Sequence, residues 1–401
     1  MTVLTPVSEA LSLILDTVQV VDETQECPLN EALGRVMAVD VVSPLAVPGD
    51  DNSAMDGFAL RAKDAGTSLP VSQRIAAGTT GEPLEPGTAA RIFTGAPVPP
   101  GADAVVMQEN CQIDGGYVYI PAPVNVGQHI RPQGQDIAEG EVVLSAGRRL
   151  KPQDLGLMAS VGLATACVRR QVKVAVFSTG SELIEPGAAA LKPGQVYNSN
   201  RFVLTGLLNS LGCEVIDMGV VADDPQQTEI ALLEAARQSD CVITSGGVSV
   251  GEEDHVKAQV EKLGQLHLWK LAIKPGKPLA YGSIGDTPFF GLPGNPSSVL
   301  VTFCVVARPW LLATQGACDI QPSTFTVRAD FEVSKPGLRQ EYRRVTLLRE
   351  LGDMLAREAG NQSSGALSAA GRAHALAVIP ANQVVKSGDL VEVILLSELG
   401  C

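Results

Sequence analysis

Aromatic residues make up only 4% of this 401-residue chain, whereas glycine numbers 40 and proline 26, so small aliphatic elements joined by tight turns are expected. Positive charge is scarce. Lys and Arg total 30 against 44 Asp and Glu, a net −14 that repels phosphate backbones and excludes nucleic acid as a partner. An anionic small ligand stays open, because a few cations can dominate one cleft. The eight cysteines (Cys27, Cys111, Cys167, Cys213, Cys241, Cys304, Cys318 and Cys401) contain no CxxC spacing, and several sit in apolar runs as small hydrophobes. That usage fits a reduced, cytoplasmic compartment. His129, His255, His267 and His374 form no HExxH or other ligand pair, so the spacing offers no zinc site. No basic segment leads into an unbroken apolar stretch at the N-terminus, which excludes a secretory signal. The longest apolar run, 299–307, is closed by Arg308 and is too short to span a bilayer, so a soluble protein without membrane association is expected.

What is present is length for two to four domains and 45% hydrophobic residues to fill them. Thr5 reads as a helix cap and Pro6 as a first helical residue, opening a periodic stretch to Val18. From Gly57 to about Gly140, short β-rich runs alternate with Pro/Gly turns, which reads as a small β module. A helix is expected over 152–161. From Val172 the pattern alternates strand and helix at βαβ spacing, with strands at 172–177, 214–221, 241–244, 266–273 and 289–292. Such alternation specifies a three-layer α/β domain with a mostly parallel sheet, whose ligands bind beyond the strands' carboxyl ends. Strands return from Phe325, separated by a Ser/Ala/Gly-rich stretch at 363–372, and read as a β-barrel-like C-terminal domain. The fold class is therefore α/β and β, multidomain.

Four segments carry chemistry. Ser245, Gly246, Gly247, Val248, Ser249, Val250 and Gly251 follow a buried strand and open a helix beginning Glu252-Glu253-Asp254. Glycines let backbone N–H groups approach a ligand, and the helix N-terminus favours an anion, so the loop suits a phosphate. It lacks the Gly-Lys-Ser/Thr of a P-loop and the spacing of a dinucleotide fingerprint. Complementing the helix dipole accounts for Glu252 and Glu253. Asp254 reads as a carboxylate for magnesium or for positioning water. Next, Lys270, Lys274 and Lys277 cluster around Pro275 and Pro278, concentrating cations in an acidic chain. A solvated basic turn is the plain alternative, and a neighbouring phosphate loop favours an anion site. Third, Gly291-Leu-Pro293-Gly294-Asn295-Pro296 is a rigid strand-to-helix turn with Asn295 as cap, and a well-capped helix alone would explain it. Fourth, Asp51-Asn-Ser-Ala-Met-Asp56-Gly57 reads as a turn, and composition alone assigns it nothing.

In order and spacing these segments resemble the molybdopterin molybdenumtransferase family, which includes MoeA and the E domain of gephyrin. The likeness runs through DNSAMDG at 51–57, FTGAPVPPGADAVV at 93–106, STGSEL at 178–183, SGGVSVGEEDHVK at 245–257, WKLAIKPGKPLA at 269–280 and GLPGNPSS at 291–298, and spans nearly the whole chain. Phe58 stands where the family usually has Tyr, and Gln135 where it usually has Glu. The resemblance implies four domains: 1–50 with 140–170 as a discontinuous elongated domain, 51–139 as an inserted β module, 171–318 as the α/β domain and 319–401 as the C-terminal barrel. It implies a homodimer whose cleft lies between the α/β domain of one subunit and the N-terminal region of the other.

The implied reaction inserts molybdate into adenylylated molybdopterin and releases AMP, with Mg2+ as cofactor. By position Asp56, Asp136, Glu182, Asp223 and Asp254 match the family's acidic active-site residues, with Glu182, Asp223 and Asp254 at the metal. Thr94 and Arg131 would contact substrate across the cleft. Ser245, Gly246, Gly247 and Ser249 would line the phosphate loop, Lys270 and Lys274 would bind anions, and Pro293, Pro296, Arg339 and Ser364 would complete the pocket. Transient contacts with a molybdopterin adenylyltransferase and with acceptor molybdoenzymes would follow. Two alternatives stand beside this reading. A molybdopterin adenylyltransferase would normally carry Gly-Gly-Thr-Gly where this loop reads Gly-Gly-Val-Ser. A non-catalytic scaffold or pterin-binding protein has no need of Asp56, Asp254 and Lys274.

Overall fold

The computed structural model describes residues 4–247, 255–350 and 352–401. The first helix runs Val7–Leu15 and buries Val7, Ala10 and Ile14. Pro6, not Thr5, occupies the position before it, because the Thr5 backbone is already committed: its N–H donates to Lys270 O at 3.2 Å, and its carbonyl accepts from Ala272 N at 2.8 Å. The helix ends before Val18 in a turn where Thr17 bonds back to Ile14. Thr24–Pro28 then pairs antiparallel with Thr165–Arg169, and Val41–Val42 with Val142–Leu144. These distant segments close one aliphatic cluster around Met37, Leu144, Leu150, Met158 and Val168. The first helix packs elsewhere, in the core of the central sheet.

Between the paired segments lies a six-stranded β module, with strands Gly57–Leu60, Ser68–Ile75, Ala89–Ile92, Ala104–Met107, Gln112–Asp114 and Tyr117–Tyr119. Gly57 opens it because a Cβ there would lie 1.9 Å from the Val106 carbonyl oxygen of the adjacent strand. Phe58 is 2% exposed, with the Arg91 guanidinium 5.1 Å from its ring centroid.

The central sheet has six strands in the spatial order Glu214–Val221, Lys173–Thr179, Cys241–Ser245, Thr287–Leu292, Pro278–Ile284 and Gly264–Lys270. The first four are mutually parallel, and the last two join antiparallel. The sheet is thus mixed beyond the parallel half that the βαβ pattern specifies. Pro225–Gln238 and His255–Leu263 cover one face through Leu232, Val256 and Val260. Asn200–Ser210 and the helical run Pro296–Thr314 cover the other. That second helix is long and apolar enough to cross a membrane, yet it lies mostly buried in the core, with Trp310 2% exposed. It widens to a π-helical turn at Phe303–Ala307.

The expected strand over 266–273 is split. It leaves the central sheet at Lys270, and Ile273–Lys274 instead pairs parallel with Gln340–Glu341 of the C-terminal sheet. There Thr324–Asp330, Gln340–Glu350, Asp353–Glu358, Ala375–Ile379 and Leu390–Leu395 pair in a closed cycle of five, which leaves a barrel. Closure removes free strand edges. Tyr342, Leu376, Val378, Ile394, Leu396 and Leu399 from this region share the largest core cluster with the central sheet.

Asp154 anchors the start of helix Pro152–Ser160. Its carboxylate, in a residue only 2% exposed, accepts from Lys151 N at 2.8 Å and from Arg148 at 2.7 Å. Burial opposes its charge, but the Arg148 hydrogen bond and the Lys151 amide outweigh burial and hold the carboxyl below its ordinary range. Asp154→Ala is expected to cost about 2–3 kcal/mol in denaturant unfolding at pH 7. Because the folded-state value is depressed, this contribution is present above the unfolded carboxyl value of about 3.9 and disappears as pH falls through the folded value. The gap between wild type and variant should therefore close below about pH 4. A gap that persists in acid contradicts the assignment.

Candidate active site

The carboxyl ends of the parallel strands and the rim of the barrel enclose a cleft of about 860 Å³, within the size range of small-molecule sites. Four chain segments of the central region and two of the C-terminal region form it. Glu182 and Leu183 follow the Lys173–Thr179 strand, and Asn198, Ser199 and Asn200 open the next helix. Lys274 to Pro278 contribute the basic turn, and Pro293 to Pro296 the strand-to-helix turn. Arg339 and the loop Gln362–Gly365 close it from the barrel.

Each wall has a local cause. Asn200 Nδ2 donates to Gly294 O at 2.7 Å, tying the two helix starts together. The Asn295 side chain makes no capping hydrogen bond. The helix start is satisfied instead by Ser298 N and Val299 N donating to Asn295 O and by Ser297 N donating to Ser364 O at 3.0 Å. Ser364 is therefore held against the Pro296 helix by backbone. Arg344, 1% exposed, pins the same loop by donating to Ser363 O at 3.0 Å and Asn361 O at 3.4 Å. Gly276 fits because a Cβ would fall 2.3 Å from the Thr302 hydroxyl.

Lys274, Lys277 and Arg339 against Glu182 give the lining a positive balance in an acidic chain. Two helix starts add partial positive charge to the same wall. Such a lining suits a ligand with several negative charges and a polar body.

Of the residues singled out from the sequence, Glu182, Lys274, Pro293, Pro296, Arg339 and Ser364 all line this cleft. Ser245 lies beneath it, 2% exposed, with its hydroxyl 3.0 Å from that of Ser178. Gly246 and Gly247 follow at φ +90° and +64°, and the Gly246 Cα lies 3.8 Å from where a Cβ on Gly294 would be. Asp223 stands just past the Glu214–Val221 strand, beside Asp224, which caps the following helix through Gln226 N and Gln227 N at 2.9 Å. Lys270 ends its strand without lining the cleft. Ser249 and Asp254 lie outside the described residues.

Asp56, Thr94, Arg131 and Asp136 form a second group on the β module and its flank, and none lines the cleft of its own chain. Asp56 Oδ1 accepts from both the amide and the hydroxyl of Thr94, each at 2.8 Å. These two donors, with Arg91 nearby, hold its carboxyl below the ordinary range. Arg131 pairs with Asn52, and Gly95 N donates to Ser53 O at 2.8 Å, so the DNSAMDG and FTGAP segments are one structure. Asp51 serves that structure by accepting from Gln133 N at 2.7 Å. Asp136 N donates to Val47 O at 3.0 Å on the adjoining turn.

Asn198, Asn200, Lys277 and Gln362 were not assigned from the sequence. Lys277 shares the basic segment, so its signal was present. Asn198 and Gln362 are polar residues in short loops and Asn200 starts a helix, and none of the three carries a pattern of its own.

Glu182 and Asp223 follow the ends of two adjacent parallel strands, Glu182 lining the cleft and Asp223 not, and carboxylate oxygens suit magnesium. Among the described residues no three His, Cys, Asp or Glu side chains converge on one point. Magnesium fits that arrangement, because it is commonly held by one or two carboxylates together with substrate phosphates.

The architecture and cleft define a multidomain enzyme with a polar, cationic site at the carboxyl edge of an α/β sheet. Three sequence families match in succession: the MoeA N-terminal region (domain I and II) at residues 5–162, the probable molybdopterin binding domain at 175–313 and the MoeA C-terminal region (domain IV) at 326–396. The molybdopterin molybdenumtransferase of Haemophilus influenzae is 42% identical over 368 residues, covering 90% of this chain and 91% of that one. That of a Nostoc species is 35% identical, covering 97% and 93%. The crystal structure of the molybdopterin biosynthesis moeA protein from Pyrococcus horikoshii OT3 superposes with a TM-score of 0.85 at 31% identity, covering 98% of this chain and 100% of that one. The chain belongs to the molybdopterin molybdenumtransferase family and is an enzyme of molybdenum cofactor biosynthesis.

Gly246→Ala tests the loop beneath the cleft. Its φ is unfavourable to any side chain, and the new Cβ would sit 2.6 Å from the Thr179 carbonyl oxygen, which is backbone and cannot rotate away. A loss of about 2 kcal/mol in unfolding free energy is expected. An unchanged denaturation midpoint would contradict the loop geometry.

Proposed function

We propose that this chain inserts molybdate into adenylylated molybdopterin, cleaves the pyrophosphate link and releases AMP in the cytoplasm. The observation that carries the reading is the convergence of Lys274, Lys277 and Arg339 with Ser364 and two helix starts on one cleft. The reaction must hold two anions together, a tetrahedral dianion and a pyrophosphate, and this lining supplies the charge.

In this reading Lys274, Lys277 and Arg339 neutralise the anions, and charge that develops as the P–O bond breaks is met by donors already fixed in place. Ser364 and the turn Pro293–Pro296 set the width of the slot, since both are held by backbone hydrogen bonds. Glu182 and Asp223, joined by Asp254, would hold magnesium. When bound, that ion would supply Lewis-acid neutralisation of phosphate oxygens. Ser245, Gly246, Gly247 and Ser249 would face the phosphates with backbone N–H groups, and Lys270 would add longer-range positive charge.

Asp56, Thr94, Arg131 and Asp136 act, in this reading, on the cleft of a second subunit. Their absence from their own chain's cleft supports that placement. The functional unit is then a homodimer built from 1–50 with 140–170, 51–139, 171–318 and 319–401. It receives its pterin from an adenylyltransferase and passes product to acceptor molybdoenzymes.

The test is AMP release from adenylylated molybdopterin with magnesium, with and without molybdate. AMP release that depends on molybdate, together with active cofactor, is expected. AMP formed only from ATP and free molybdopterin would favour an adenylyltransferase, and pterin binding without turnover a scaffold. In the same assay Asp56→Asn and Lys274→Gln should each be nearly inactive alone. Mixing and re-associating the two should restore about a quarter of wild-type activity, because half of the dimers are then mixed and each holds one intact cleft. No recovery would contradict the shared cleft.

A further inference from the structure

Lys274 is not a free cation. Its ammonium lies 3.0 Å from Glu341 Oε1, and the same oxygen lies 3.2 Å from Arg343 Nε. Glu341 is 9% exposed, whereas the Lys274 side chain is 47% exposed and borders both the cleft and the adjoining hollow that Glu341 and Arg343 line. The pair is built into the backbone, because Lys274 and Glu341 are register partners in the short parallel ladder joining the central region to the barrel. Arg343 is held on its other side by Glu358 and stacks over Phe331. Arg344, buried nearby, also feels the Glu341 charge. Lys274, Glu341, Arg343 and Glu358 thus alternate in sign in a chain of ion pairs that starts at the cleft wall.

An enzyme that needed only tight anion binding would leave Lys274 unopposed. Here a buried carboxylate opposes it, and a second cation competes for that carboxylate. We propose that Glu341 opposes the charge of Lys274 at the cleft wall and so limits how tightly the cleft holds its anion, so that the phosphate-bearing product can leave. The inference rests on the reading of the cleft as an anion site. Its physical content is a sign. Removing Glu341's charge releases the Lys274 ammonium from its ion pair to the anion, so anion affinity rises. The orientation lost by a half-exposed lysine is the smaller effect, because exposed ion pairs orient their partners weakly. A residue that merely supported the fold would give the opposite sign when removed.

AMP is the probe, titrated calorimetrically into the full-length protein at fixed ionic strength. Lys274→Gln is expected to weaken AMP binding about tenfold, and Glu341→Gln to tighten it roughly three- to tenfold. The double variant should match Lys274→Gln alone, since Glu341 acts through that lysine. Arg343→Gln frees Glu341 to bind Lys274 more completely and should weaken AMP binding, which keeps the idea testable if Glu341→Gln does not fold. If Lys274→Gln leaves AMP binding unchanged, the cleft reading fails and this inference fails with it. If Lys274→Gln weakens binding but Glu341→Gln leaves it unchanged or weaker, the cleft reading stands and the role of Glu341 is overturned. Unchanged affinity in Arg343→Gln would overturn it as well.

Discussion

A two-residue parallel ladder holds the site together. Ile273 and Lys274 pair with Gln340 and Glu341, Gln340 N donates to Ala272 O at 2.9 Å, and Arg339 reaches the Ile273 carbonyl at 3.3 Å. Through this contact the chain leaves the central sheet and becomes an edge of the barrel sheet. Lys274 and Arg339, 65 positions apart in sequence, thereby come to share one wall. The ladder is short, so it survives only because larger surfaces flank it. Tyr342, Leu376, Ile394, Leu396 and Leu399 enter the same core as the sheet-covering helix Pro296–Thr314. Apolar burial fixes the barrel on the central domain, and the ladder converts that attachment into side-chain register.

The cleft's second wall depends on buried polar groups that have found partners. Arg344 is almost fully buried; its terminal nitrogens donate to the carbonyls of Tyr342 and, in the 361–363 loop, of Asn361 and Ser363, its Nε has no partner, and Gln362 returns a hydrogen bond to Arg344 O at 2.9 Å. An unpaired guanidinium there would be costly, so the loop and the barrel strand are mutually specified. The loop in turn presents Ser364 and occupies the N–H of Ser297. Stability and function are coupled here. The groups that hold the barrel's buried arginine are the groups that shape the cleft.

Much of this was legible in the sequence, and the boundary between legible and hidden has a physical explanation. Local periodicity and Gly/Pro punctuation marked the parallel strands, the covering helices and the β module, because those signals depend on near neighbours in the chain. The motifs at 51–57 and 93–106 were visible separately, and their union through Thr94 and Asp56 was not, since a hydrogen bond across 38 positions leaves no local trace. The strand Pro278–Ile284 opens on a proline and contains Gly282, so it carries no strand signature, and the antiparallel pairings it makes with Thr287–Leu292 and with Gly264–Lys270 are hidden with it, although a strand over 266–273 is expected. Asn295 was read as a side-chain cap because its type and position suit one, but backbone from a distant loop took that role. Glu341 was invisible as a functional residue, since its meaning comes from the ladder that sets it against Lys274.

The central claim is that one cleft, walled by Lys274, Lys277, Arg339 and Ser364, receives the oxyanion. The most direct measurement is a crystal soaked with molybdate or tungstate, with the metal located by anomalous scattering at its absorption edge. Both are tetrahedral dianions of nearly equal size, so either reports the site. The account predicts an anomalous peak inside this cleft that disappears in Lys274→Gln crystals. A peak on another surface, or one in this cleft that persists undiminished in Lys274→Gln, would contradict it.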